Sequence, residues 1–358
     1  MAPGEIVRGR LSEAELSAAR KSAAARVHRF DTAGGRRVYR LRIEVFPGFS
    51  GNAYLIEGGE KPVLVDTGSS SPQSAADLEA AFAELRQEHG LAVTPADLGA
   101  IVITHGHIDH FGGLAGLAGK TAAPVGIHVL DRRVITSWTE RLVVASRQVG
   151  QFFLQAGAGP EKTARYLETY RASKTLFKSH RSADFTFDEG PLLGGELEAI
   201  HVPGHCPGQV CLKVDDVLLT ADHLLEKITP HLSPEMITSE TGVGHYLASL
   251  RKIEKVADVR LGLGGHLGEI PDIARRSGEI RRHLEARLEK VLELCQSPST
   301  ILEISRGIYG RVRSYHVLLA ILEAGALVEY LYQRGELVAA NLDELEREAH
   351  PAILYRRF

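Results

Sequence analysis

The stretch Thr104-His105-Gly106-His107-Ile108-Asp109-His110 places three imidazoles and a carboxylate within six positions. It follows GAIVIT at residues 99–104, a short apolar run that predicts a buried strand. The chain is therefore delivered from a strand end directly into HGHIDHFGG. Neutral imidazole suits zinc and carboxylate suits a hard or borderline cation, so the mixture favours zinc, with iron or manganese as alternatives. Histidines at i and i+2 can converge from a loop, whereas Asp109 and His110 can point to a second ion. Gly106, Gly112 and Gly113 let the backbone fold tightly around such ions.

Three further donors stand where strands are expected to end: His205 in PGHCPGQ, Asp222 in LLTADH and His266 in GGH. Strand patterns precede them at LEAIHV, QVCLKV, VLLTAD and VRLGLGGH, with Asp215–Asp216 as a hairpin turn between the second and third. Upstream, Leu41, Ile43 and Val45 share one face of an alternating segment, followed by NAYLIEG and PVLVDTG. A helix is expected over residues 72–88, with Gly90 just past its end. Another runs near residues 245–257, and a long charged helix follows Pro271.

HxHxDH followed by a Gly-His, a strand-terminal Asp and a final His resembles the metallo-β-lactamase superfamily. The resemblance covers residues 38–268 and is strongest to the branch that contains hydroxyacylglutathione hydrolases and related thioesterases, lactonases and ribonucleases. It implies an α/β fold, a four-layer αββα sandwich with the metals at the edge between two mixed sheets. Position by position it assigns His105, His107 and His205 to a first metal and Asp109, His110 and His266 to a second. Asp222 then bridges both, and Asp66 in VDTG orients a ligand without binding metal itself. The implied cofactors are two zinc ions, iron or manganese being possible. The Cys ligand of one β-lactamase subclass is missing at the Asp222 position, which argues against β-lactams, and the glutathione-binding signature of the hydrolases is not recognisable.

Two ions roughly 3.5–4 Å apart can hold a water, lower its pKa towards about 7 and polarise a scissile carbonyl or phosphoryl oxygen. Asp109 and Asp222 are the expected catalytic carboxylates, with Asp109 orienting the water or relaying a proton. The expected activity is metal-dependent hydrolysis of a thioester or ester. The alternative is a metal-dependent endoribonuclease or phosphodiesterase. A redox protein using iron at the same ligands is a third class, disfavoured because no flavodoxin-like domain accompanies the motif.

The rest of the chain supplies the setting. It has 358 residues, 44% hydrophobic and 24% charged, with a formal net charge of -3. Such a chain buries a sizeable core and is no bulk polyanion binder. Three cysteines (Cys206, Cys211, Cys295) make no disulfide framework, and a cytoplasmic location is expected. No signal-peptide pattern or long apolar run is present, so no membrane partner is expected. The domain reading is an N-terminal helical extension over 1–35, a catalytic domain over 36–270 and, over 271–358, the long helix with a winged-helix-like module. Ser12 and Glu15 form a capping-box pattern for a helix at 11–26.

A helical insert at 132–183 carries ten Lys/Arg against three Glu, a local net +7, together with Trp138, Phe152, Phe153, Leu154, Tyr166, Tyr170 and Phe177. It reads either as a wall that attracts an anionic acyl substrate or as a packing element or homodimer seam. From residue 299 onward seven Arg stand against eight acids, so no nucleic-acid partner is expected for the tail. Cys206, His223, His128, His180, His201 and His231 are read as ordinary structural residues.

Overall fold

The structure is a computed structural model that describes residues 26–175, 182–313 and 315–358. The N-terminal helix expected at 11–26 therefore lies outside the described residues but for its last position, as do Phe177, Lys178, His180 and Arg181 of the insert.

Two mixed sheets are stacked face to face. The first contains β1 (Val27–Asp31), β2 (Arg37–Phe46), β3 (Phe49–Glu57), β4 (Val63–Val65), β5 (Ala100–Ile103), β6 (Val125–His128) and β7 (Phe185–Phe187), in that spatial order. Pairing is antiparallel from β1 to β4 and parallel from β4 to β7. The second sheet runs β13 (Glu269–Ile270), β12 (Leu261–Gly264), β11 (Val217–Ala221), β10 (Val210–Val214), β9 (Leu197–His201), β8 (Gly190–Leu192). Its β11–β12 pair is parallel, and the other pairs are antiparallel.

Alternation along the strands explains the layers. In β2, Val38 faces the second sheet, where it joins Tyr54, Val65, Val102, Leu212, Leu219 and Leu263 in a buried inter-sheet core. Tyr39, Leu41, Ile43 and Val45 point the other way, onto Leu78, Phe82 and Leu85 of helix α1 (Pro72–Glu88). The two-residue turn between β10 and β11 puts Asp215 at φ 52, which Asp tolerates better than most residues. Each large apolar side chain buried this way contributes about 1.5–3 kcal/mol.

Beyond the first sheet's metal-motif strand come α2 (Ile108–Phe111) and α3 (Leu114–Leu117). The insert forms α4 (Arg132–Thr136), α5 (Trp138–Gln155) and α6 (Gly159–Thr175). The outer face of the second sheet is covered by α7 (Val243–Ile253), α8 (Ile273–Leu294), α9 (Ile301–Tyr309) and α10 (Tyr315–Gln333). The chain closes with β14 (Leu337–Ala339), α11 (Leu342–Arg347) and β15 (Tyr355–Arg357), the two strands forming a small antiparallel sheet. Residues of α9, α10, β14 and β15 belong to the same apolar cluster as Ile200, Leu218, Tyr246 and Leu284, so the tail shares the main core.

Helix α10 is long and apolar enough to cross a membrane by composition, but 61% of its apolar window is buried inside the molecule. Its Glu323 is paired with Arg287 of α8 at 2.6 Å, both nearly buried, as suits a core helix.

Candidate metal centre

The seven donors singled out in the sequence come off neighbouring strand ends. His105 and His107 leave β5, and Asp109 and His110 lie in the single turn of α2. His205 sits in the β9–β10 connection, Asp222 directly after β11, and His266 just past β12. Three overlapping groups result: His105, His107 and His205; His105, His110 and Asp222; Asp109, His110 and His266, each with ligand atoms within 4.8 Å of one another. His105 Nε2 and His107 Nδ1 are 3.2 Å apart, aimed at one point. Asp222 lies between the flanking groups. Its Oδ1 is 3.5 Å from His110 Nε2, and its Oδ2 is 3.7 Å from His205 Nε2 and 3.5 Å from His266 Nε2.

The opposite nitrogens are anchored. His110 Nδ1 lies 2.8 Å from Asp66 Oδ2, and His105 Nδ1 is 3.1 Å from Thr104 Oγ1. His205 Nδ1 donates to the His231 carbonyl at 2.6 Å and His266 Nδ1 to that of Ser50 at 2.9 Å. Such bonds fix ring orientation and tautomer and leave the inward nitrogen as the ligand atom. Asp66 in turn accepts from both the backbone N–H and the hydroxyl of Thr104 at 2.8 Å. The backbone is bent to suit: Asp66 (φ 58) and Ala221 (φ 44) are left-handed without being glycine, and a bulge interrupts β11 just before Asp222.

Charge is balanced tightly. Burial drives the His105 imidazole well below its ordinary pKa, and His110 and His107 add to the effect. Burial also lowers His205, against the pull of Asp222. At His110 burial opposes the proton, but Asp222 and Asp66 outweigh it and hold the group well above its usual value. His266 is likewise pushed up to about 10, Asp222 and Asp109 overcoming its burial. Burial would raise Asp222 and Asp109, yet the neighbouring His266 and His110 hold both below the usual carboxylate range. The carboxylates thus demand positive charge inside the cluster.

Divalent cations fit that demand. His110 Nε2, His205 Nε2 and Asp222 Oδ1 are buried without a hydrogen-bond partner, all three turned into the cluster. A buried polar atom left so costs about 1–3 kcal/mol unless something else satisfies it. The donor set is imidazole and carboxylate, the combination that suits zinc or a similar borderline ion. Neither Cys206 nor His223 belongs to these groups.

The insert departs from part of the sequence reading. Phe152 and Phe153, expected as possible substrate contacts, are fully buried in the core behind the second sheet, and Tyr166 and Tyr170 pack against that core. Trp138 stacks edge-on against Phe111 of the metal-motif helix at 5.8 Å. Periodicity showed these positions as apolar without saying which face turns inward. Among the described residues of the insert, the exposed large apolar side chains are Val143 and Val144.

Sequence reasoning also passed over two buried polar residues. Asn52 donates to the Gly264 and Leu267 carbonyls at 2.9 and 3.1 Å, bracing the loop of His266. Asp131 accepts from the N–H of Gly106 at 2.8 Å. The one available signal was a polar residue inside or just beyond an apolar strand.

Two packed mixed sheets with a histidine–carboxylate cluster at their rim define an α/β sandwich built to hold divalent metal. Residues 46–266 match the model of the metallo-beta-lactamase superfamily, and the chain belongs to that superfamily. Its members are metal-dependent hydrolases, and the cluster gives this chain donors for that chemistry. The fold is similar to that of a metallo-beta-lactamase family protein from Thermus thermophilus, at a TM-score of 0.72 and 26% identity, over 90% of this chain and 98% of that one. Lactamase-like protein aptB of Emericella nidulans is 22% identical over 249 residues, 68% of this chain but only 60% of that protein. Shorter matches reach a hydroxyacylglutathione hydrolase of Cupriavidus taiwanensis (39% over 88 residues, 24% of this chain and 28% of that one). The exodeoxyribonuclease WalJ of Streptococcus pneumoniae matches at 38% over 73 residues, 20% of this chain and 23% of that one.

Proposed function

We propose that the chain is a dinuclear metal-dependent hydrolase that cleaves thioesters or esters. The observation that carries this reading is the convergence of two histidine-bearing groups on either side of the Asp222 carboxylate. In it, His105, His107 and His205 would hold one metal ion, zinc by donor chemistry, Asp109, His110 and His266 would hold the other, and Asp222 would serve both. When bound, the ions supply a water of lowered pKa and polarise the scissile oxygen. Asp109, half-buried beside His266 at 3.3 Å, is the carboxylate placed to orient that water or take its proton. The Ser50 and His231 carbonyls and Asp66 keep the imidazoles in register.

A cysteine nucleophile is disfavoured. Burial, with Asp131 beside it, pushes the Cys206 thiol well above its ordinary pKa, away from the thiolate that covalent chemistry needs. All three cysteines are buried and unpaired, which fits a reducing cytoplasm.

The acyl substrate class is supported by the insert's net +7, by exposed Val143 and Val144 on α5, and by the hydroxyacylglutathione hydrolase match. The exodeoxyribonuclease match keeps phosphodiester hydrolysis as the second reading. Purified protein loaded with zinc, iron or manganese is to be assayed on acyl-CoA thioesters, lactones, single-stranded RNA and single-stranded DNA. The proposal expects the highest kcat/KM on a thioester or ester; preferential turnover of nucleic acid would replace it with the second reading.

A further inference from the structure

Asp131 follows β6 at the start of the insert and is completely buried. Its Oδ2 accepts the N–H of Gly106, the residue between His105 and His107, at 2.8 Å. Cys206 and Gly208, which flank His205 on its C-terminal side, lie against the same carboxylate. A Cβ on Gly106 would meet Val134 Cγ2 at 2.8 Å and stand 3.1 Å from Asp131 Cγ, and one on Gly208 would stand 2.7 Å from that same Cγ. Real Cβ atoms essentially never approach so closely as 2.7 or 2.8 Å. Both loops are glycine where they meet the carboxylate, and the positive charge of Arg141 on α5 favours its ionised form.

From this geometry we infer that Asp131 is a positioning residue that joins the His105–His107 loop to the His205 loop and so assembles one of the two histidine groups. The arrangement is asymmetric. Asp131 touches both loops of the group His105, His107 and His205, whereas on the other side His110 is anchored through Asp66 and His266 through Ser50. The inference rests on the proposal that these groups hold metal.

Two substitutions test it. Asp131→Ala removes the carboxylate, and Asp131→Asn keeps an oxygen able to accept from Gly106. Zinc affinity is measured for each by chelator competition, metal equivalents by elemental analysis, and folding by circular dichroism. Asp131→Ala is expected to lose affinity for one zinc equivalent by about 10- to 100-fold while the other stays tight, as for outer-sphere supports generally. Asp131→Asn is expected to recover most of that loss. If Asp131→Ala does not fold, Asp131→Asn together with Gly208→Ala decides: the latter should reproduce the one-site loss with the carboxylate intact. Wild-type affinity at both sites in folded Asp131→Ala, or equal loss at both sites in Asp131→Asn, overturns the inference. Wild-type protein that takes up no zinc brings down the metal reading and this inference with it. Two tight equivalents in wild type and in every variant remove the Asp131 role alone.

Discussion

His110 Nδ1 sits 2.8 Å from Asp66 Oδ2, on a strand-end aspartate that also holds Thr104 by its backbone and its hydroxyl. One carboxylate thereby sets the ring angle of His110 and the start of the loop that carries His105. Asp66→Ala is expected to weaken zinc binding about 10- to 100-fold, the usual cost of removing an orienting partner. Asp66→Asn, which tolerates the left-handed backbone at this position, should lose less. Zinc competition reads both; unchanged affinity in Asp66→Ala would show that His110 needs no such support.

Asp222 faces His110, His205 and His266 at 3.5–3.7 Å, so its carboxylate reaches a donor of each of the three groups. Asp222→Ala should release at least one metal equivalent and lower kcat/KM by about a hundredfold or more, some 2.7 kcal/mol of barrier. Cys206→Ser, next to His205 but outside the donor groups, should keep its metal content. Two tightly held metals with near-normal turnover in Asp222→Ala would contradict the shared role.

Much of this site was legible in the sequence because metal chemistry dictates residue type. Only imidazole, thiolate and carboxylate serve, so His105, His107, Asp109, His110, His205, Asp222 and His266 declare themselves by identity and spacing. Asp66 entered only through the resemblance of VDTG to the family's pattern. The anchors from Ser50 and His231 could not, since any residue offers a backbone carbonyl. Asp131 was hidden for a different reason: its role depends on two glycines far away in sequence meeting at one carboxylate.

Legibility of the fold followed element length. Helix α1 and the β10–β11 turn fall where periodicity and Asp215–Asp216 put them. Strands β8 (three residues) and β13 (two residues) are too short to show an alternating pattern. Residues 132–175 of the insert form three helices, and the burial of Phe152 and Phe153 follows from packing on the second sheet's outer face, which periodicity alone does not show.

His128 gives a pH test away from the metals. Its ring is buried, stacks on His201 at 4.1 Å, accepts the Leu130 N–H at Nδ1 and lies 3.1 Å from Asp188 Oδ1 at Nε2. Burial and the facing His201 lower its pKa to about 4, against the pull of Asp188 and the nearby Glu189. The unfolded value is about 6.5. The folded state therefore favours the neutral ring, and its contribution is fully present above pH ~6.5 and is lost as pH falls towards about 4. His128→Asn, which keeps an acceptor for Leu130, should flatten the fall of Tm over that window. An unchanged slope would mean that other groups carry the acid sensitivity.

The basic insert separates the substrate classes. Arg165 and Arg171 are exposed on α6, whose Tyr166, Leu167 and Tyr170 pack inward, so charge can be reversed there without touching the core. Arg165 makes a loose 3.9 Å pairing with Glu161, and neither arginine belongs to the donor groups. If the segment attracts an anionic substrate, Arg165→Glu with Arg171→Glu should raise KM on the order of tenfold at low ionic strength. The effect should shrink as salt is added, because screening already acts beyond about 10 Å at 0.1 M. A small neutral ester should be hydrolysed as before, since nothing at the donors has changed. An RNA substrate would show the same salt dependence, so the discriminating quantity is relative kcat/KM on acyl-CoA and on single-stranded RNA in the double variant. A loss confined to acyl-CoA favours the thioester reading and one confined to RNA the phosphodiester reading. If neither responds, the insert is a packing or dimer element, and attraction of an anionic substrate by this surface is wrong.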